Sequence, residues 1–339
     1  MINSQSRSER ILELDVLRGL AAISILCLHY TTGYSEHYFP PYPTLFDFPK
    51  GYYGISLFFM ISGFVIFMTL EKTRNPRDFV VSRFSRLYPG YWAAVILTFS
   101  LVRVSHLMLR EISLHDVFMN LTMFHEWFNV KSLDPVYWTL RVELSFYILM
   151  FIIFLNRGLK YIESLGLLWL VLMIICSRLF WYFHIHMPVI IRQTYLLKSG
   201  HLFFAGILFY NLKMKGNSWQ RHTALILCLA AGYLVRDSSY DVFFEIGFFV
   251  IFYLFIHGYL SRIVLRPFVF LGSISYSLYL IHDDIGFIII KHLYAVKANA
   301  WLCFFIPAVF SIFVAALITY LIEKPAVKFI RQRYAGIKN

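Results

Sequence analysis

Leu14-Asp-Val-Leu-Arg18-Gly-Leu-Ala-Ala-Ile-Ser-Ile-Leu-Cys-Leu-His29 is an apolar stretch with one guanidinium near its start and one imidazole at its end. It predicts a membrane helix over 14–32. Eleven positions separate Arg18 from His29, and at ~100° per residue eleven steps return to within about 20° of the starting azimuth. Both side chains therefore share one face, roughly 16 Å apart along the axis at ~1.5 Å per residue. Ionisable groups inside a membrane are costly and are functional candidates by default. The face reads as a polar track leading into the bilayer.

The rest of the chain agrees with a membrane setting. Hydrophobic residues make up 59% of the 339 residues and charged residues 15%, far from the mix of a soluble domain. Apolar runs near twenty residues long recur between short polar links, which predicts an all-α polytopic membrane helix bundle. About ten helices fit, near 14–32, 53–70, 87–106, 136–155, 163–184, 196–212, 222–236, 242–258, 268–290 and 301–322. Segment 107–135 is the least regular, with room for a short re-entrant or interfacial helix around Leu114–Phe128. We expect a single membrane domain over 1–339 with no appended extracytoplasmic domain. The first apolar run follows a charged N-terminus and lacks a small-residue cleavage site, so it reads as a retained helix.

Charge then orients the bundle. Arg7 and Arg10, the set from Lys72 to Arg86, Arg157, Lys160, Lys213, Lys215, Arg221, Arg262, Arg266 and the set from Lys324 to Arg333 fall on one group of links. The other group carries Glu36, Asp47, Glu126, Asp134, Asp237 and Asp241. The positive-inside rule puts the first group and both termini in the cytoplasm. The net charge of +12 is thereby explained by topology, and with no single basic stripe it does not point to nucleic acid. Cys27, Cys176, Cys228 and Cys303 each lie in an apolar run without metal-ligand spacing, so neither a disulfide framework nor a metal is implied.

Depth arithmetic sorts the polar residues. Counting at ~1.5 Å per residue through a ~30 Å core brings His29, Ser62, Glu143 and His282 to one slab slightly outside the midplane. Arg18, Arg83, Arg86 and Glu323 map near the cytoplasmic face. Arg83 and Arg86, at i and i+3, face one way and with Arg18 would receive phosphates or a carboxylate. Each has a plainer reading. Arg83 and Arg86 suit ordinary positive-inside residues, and Arg18 a snorkelling cap or a partner of Asp15. Glu143 could pair with Arg141; His282, followed by Asp283 and Asp284, could mark a helix end; Ser62 beside Gly63 suits close helix packing. The first external link, Thr31–Lys50, is dense in Tyr, Phe and Pro, which fits interfacial anchors or a platform for sugar rings.

These residues together resemble the acyltransferase 3 family of multi-pass membrane acyltransferases. Leu14–Ala22 leading to His29 is similar to its Arg-x10-His signature, Gly54–Phe64 to its second-helix block, and Arg83-Phe-Ser-Arg86 to its Arg-x-x-Arg motif. Trp138-Thr-Leu-Arg-Val-Glu143, Ser275–His282 and Glu323-Lys-Pro325 fit the later blocks, while Ser56 stands where many relatives carry an acid. The resemblance implies transfer of an acyl group, usually acetyl, from acetyl-CoA or another acyl-CoA to a hydroxyl of a glycan or lipid-linked saccharide at a bacterial cytoplasmic membrane. Arg18, Arg83 and Arg86 would hold the donor's phosphates, with the thioester arm lying along the face toward His29. His29 would act as general base or form a transient acyl-imidazole. Glu143 would orient His29 or bind the sugar, and His282 is a secondary catalytic candidate. Besides acyl-CoA and the acceptor, the partners expected are membrane lipids; oligomeric state stays open. A glycan or lipid-carrier translocator and a non-catalytic partner of a glycan synthase are the competing readings, the first weakened by the lack of visible repeats.

Overall fold

The computed structural model describes residues 11–105, 112–183, 196–235 and 242–338. Arg7, Arg10, Asp237 and Asp241, used above for orientation, lie outside them. The described residues are helical, with no strand among them. The helices are α1 (Leu12–Leu28), α2 (Tyr34–Tyr38), α3 (Gly54–Lys72), α4 (Pro76–Ser105), α5 (Leu114–Leu121), α6 (Trp138–Leu155) and α7 (Ile162–Tyr182). They continue with α8 (Gly200–Lys215), α9 (Trp219–Val235), α10 (Val242–Ile256), α11 (Arg266–Ala295), α12 (Ala300–Leu317) and α13 (Lys324–Lys338). Among the described residues, six helical stretches are long and apolar enough to cross a membrane: 49–72, 76–104, 135–155, 158–180, 266–295 and 300–337. The apolar α10 is shorter, at 15 residues. Large apolar side chains on the outside of the bundle, such as Val104, Ile226, Val309 and Leu321, are exposed, as a lipid-facing surface requires.

Two elements differ from the sequence reading in ways that shape the site. The first helix does not stop at 32: a π-helical turn over His29–Gly33 carries it into α2, and Phe39 in the left-handed region (φ 45°) ends it. The third predicted helix starts at Pro76, eleven residues before the expected 87. Proline is tolerated in a first turn, and Pro89 merely leaves the Ser85 carbonyl without its helical donor. Segment 107–135 does hold a short helix, α5, closed by a Ser113/Asp116 capping box and followed by a 3-10 turn over His125–Phe128.

Backbone contact at glycines sets the packing around the centre. A Cβ on Gly272 would lie 1.8 Å from the Asp15 carbonyl oxygen, and one on Gly286 2.2 Å from the Tyr30 ring. Residues 15 and 30 of the first helix thus match 272 and 286 of α11, so the two run parallel and in contact. α3 and α8 approach as closely in the antiparallel sense, Gly63 on Phe203 and Gly206 on Met60. We expect Gly63→Ala and Gly206→Ala each to destabilise the bundle by ~2 kcal/mol or more, because the obstructing atoms are backbone. Gly247→Ala, where a Cβ meets nothing within 4 Å, should be neutral or slightly stabilising. Thermal unfolding in detergent checks both halves of this expectation.

Candidate functional site

His29 opens the π turn, a local winding that recurs at functional sites. The parallel packing of α1 on α11 places its ring against the His282-Asp283 pair. The His29 and His282 rings meet edge to face with centroids 4.9 Å apart. His29 Nδ1–H donates to Asp283 Oδ1 at 2.5 Å, which leaves Nε2 as the basic nitrogen of the neutral ring. His282 Nδ1–H donates to the Tyr279 carbonyl, 2.8 Å away, and its buried Nε2 has no protein partner. Tyr30 locks the frame behind, its hydroxyl donating to the His282 carbonyl at 2.8 Å and lying 2.7 Å from Ser311 Oγ.

Glu143 stands elsewhere. Ser62 Oγ donates to it at 3.0 Å and the Tyr147 hydroxyl donates to the same oxygen. It does not pair with Arg141, which instead forms an ion pair with Glu126. Nor does it orient His29, the role set beside sugar binding above: Asp283 does that. The slab of four residues inferred from depth therefore resolves into two groups, His29 with His282 and Ser62 with Glu143. The physical reason is a stagger of rungs. Thr139 Oγ1 donates to the Tyr279 hydroxyl at 2.9 Å, Tyr279 lies three residues below His282, and Glu143 lies four below Thr139. At ~1.5 Å per residue that offset is about 10 Å.

Ser62 and Glu143 line one cavity and His29 another, while His282 is buried behind His29 and lines neither. The inner one, about 110 Å³, is walled by Arg18, Ser62, Arg83, Arg86, Glu143 and Tyr276 among others. The outer one, about 390 Å³, is walled by His29, Glu36, Tyr52, Trp138, Asp283 and Asp284 among others. Ile55 and Tyr279 belong to both walls, so the two chambers adjoin at these residues. The outer volume lies in the range of small-molecule sites; the inner is a narrower slot.

The three arginines differ in what they already hold. Arg86 forms an ion pair with the buried Glu323, the last residue of a second π turn, and Ser277 Oγ donates to the other oxygen of that carboxylate at 3.1 Å. Arg18 lies 3.9 Å from Asp15, at the limit of an ion pair. Arg83 packs over the Phe79 and Tyr147 rings and donates to Ser82 Oγ at 3.2 Å, with its buried Nε unpartnered. Among the described residues no carboxylate pairs with it.

Two features were not read from the sequence. Asp283 was seen only as part of a helix-end run. Asp134, from the link before α6, joins Asp283 and Asp284 so that one carboxylate oxygen from each lies within 4.8 Å of the others, all buried. Such a grouping needs a proton or a cation to balance it. Among the donors on it are His29, the Val136 N–H at 3.0 Å and the Asp284 N–H at 3.4 Å. The outer link that carries Asp134 is pinned by the Arg141–Glu126 pair. Beside that pair, burial and then the Arg141 charge push the His125 imidazole down to about 4.

Residues 11–321 match the model of a family described as an acyltransferase domain, Acyl_transf_3. The chain is 26% identical over 286 residues to "Putative acetyltransferase ORF330" of Acidianus two-tailed virus, covering 78% of this chain and 80% of that protein. It is 37% identical over 99 residues to "Protein 2 in picA locus" of Rhizobium radiobacter, covering 28% of this chain and 47% of that one. No solved structure matches.

Proposed function

The chain belongs to the Acyl_transf_3 family of acyltransferases, and from that premise we propose that it O-acetylates an envelope or exported glycan across the membrane. The donor is acetyl-CoA, or another acyl-CoA, bound from the arginine side, which the charge asymmetry of the links places in the cytoplasm. The acceptor is a hydroxyl of a glycan or lipid-linked saccharide that enters the outer chamber. One observation carries this reading: an arginine-lined slot and a His29-lined chamber adjoin, with Ile55 and Tyr279 in the walls of both.

The chemistry follows from that arrangement. Guanidiniums suit phosphate oxygens, and Arg83, already free of a carboxylate partner, is the first to meet the donor's diphosphate. Arg18 lines the same slot, on the helix that leads to His29. The slender thioester arm fits the narrow slot and brings its carbonyl to the place where the chambers adjoin. In the outer chamber Tyr52 and Trp138 offer ring faces to a sugar, and Glu36 offers an acceptor for its hydroxyls. His29 Nε2 takes the proton of the attacking hydroxyl as the new C–O bond forms. The C–S bond then breaks, and the proton passes from the imidazolium to the departing thiolate. Asp283 holds the ring in the required tautomer and stabilises the imidazolium.

Arg83→Gln should raise the donor KM about tenfold or more and leave kcat within a few-fold, since it removes binding on the side away from the reacting carbonyl. Steady-state rates against acyl-CoA concentration check this. The reading as a whole is tested with purified protein in proteoliposomes, labelled acetyl-CoA and the envelope glycan of the source cells. Label in the glycan supports it, and NMR of the product names the hydroxyl. Movement of glycan without label would make the protein a translocator. Loss of glycan synthesis, rather than of acyl groups, from cells lacking the chain would make it a partner of a synthase.

A further inference from the structure

The helix α13 doubles back along the first half of α4. Tyr334 donates to Asp78 at 2.8 Å, Arg331 meets Ser82 and Ser85, and Glu323 meets Arg86. Arg331 is not in the wall of the inner cavity but shares the Ser82 hydroxyl with Arg83, which is. Its Nη2 donates to Ser82 Oγ at 3.4 Å and its Nε to Ser85 Oγ at 3.4 Å, while Arg83 Nη2 donates to the same Ser82 oxygen at 3.2 Å. Two guanidiniums therefore converge on one neutral hydroxyl. Among the described residues neither has a carboxylate partner, and the buried Nε of Arg83 is unpartnered.

Like charges held this close without a counter-ion repel, so the arrangement is complementary to an anion that both forks can grip. We propose that Arg331, with Ser82 and Ser85, is a second phosphate site at the mouth of the donor cavity, and that it reads the 3′-phosphomonoester of the donor nucleotide. This rests on the reading of the inner cavity as the donor site. The division of labour follows from position. A diphosphate continuous with the thioester arm must lie inside the slot, near Arg83. A phosphomonoester on the far ribose, which carries close to two charges, falls outside it, where Arg331 stands. The site makes the chain discriminate a coenzyme A thioester from its 3′-dephospho analogue. It also makes the C-terminal helix part of the donor site.

Equilibrium binding of coenzyme A and of 3′-dephospho-coenzyme A to the purified full chain separates the possibilities. The protein should bind coenzyme A about tenfold more tightly than the dephospho form. Arg331→Gln should bring the two affinities together by weakening only the first. The dephospho affinity reports the fold of each variant, and Arg331→Lys, which keeps the charge and loses the fork, should retain part of the ratio if the glutamine variant fails to fold. A wild-type ratio near one, or a ratio unchanged in Arg331→Gln, overturns the assignment and leaves the donor reading standing. Binding of neither ligand overturns both. A ratio that collapses in bilayers containing phosphatidylglycerol, but not in neutral ones, gives the site to a lipid phosphate and overturns the assignment to the donor.

Discussion

His29→Ala should abolish acyl transfer, lowering kcat by ~10³-fold or more, and leave donor affinity within about twofold. General-base assistance alone is worth ~10²–10⁴-fold, and in the proposed mechanism the same ring also returns the proton to the thiolate. The arginines proposed to hold the donor line the other chamber, so the binding step should keep its contacts. His282 is not expected to substitute: it is 1% exposed, whereas His29 lines the outer chamber. Acyl transfer by the variant at the wild-type rate, measured with labelled acyl-CoA, would remove His29 from the centre of the account.

Asp283→Asn is the second large effect, a fall in kcat of ~10²–10⁴-fold with the donor Kd unchanged. The carboxylate only accepts, so it fixes the proton on Nδ1 and exposes a basic Nε2. An amide in its place can present its NH2 group, which stabilises the opposite tautomer and leaves no base facing the acceptor. Asp283→Glu keeps the acceptor chemistry and should recover part of the rate, a rescue that simple loss of packing would not give. Glu143→Gln provides the contrast. Its partners are Ser62 and Tyr147 in the inner chamber, so its effect should fall on use of the donor rather than on the tautomer of His29. Equal rates in Asp283→Asn and wild type, from purified protein of matched stability, would show that His29 needs no orienting carboxylate.

What the sequence made legible is mostly what runs along a single helix. The shared face of Arg18 and His29, the Arg83/Arg86 pair and the apolar runs are local periodicities, and spacing alone reads them. Depth counting also placed His29 and His282 at one level, and their rings touch. It failed for Glu143 because rise along an axis says nothing about tilt, stagger or which neighbour a helix meets. Asp283 was hidden for a related reason: its partner lies 254 positions away, and the packing of α1 on α11 brings the two together. Arg331 was invisible among the positive residues that orientation already explained. It is set apart by its neighbours, two serine hydroxyls and another arginine, and no reading of a linear charge pattern supplies those.

The central claim is that donor and acceptor meet where the two chambers adjoin, from opposite faces of the membrane. It is tested most directly in sealed, uniformly oriented proteoliposomes, with membrane-impermeant acyl-CoA on the side of Arg83 and Arg331 and a soluble saccharide acceptor only on the side of His29 and Trp138. The account predicts acylated saccharide in the compartment that never held acyl-CoA, and free coenzyme A in the one that did. Product formed only when donor and acceptor share a compartment would contradict it.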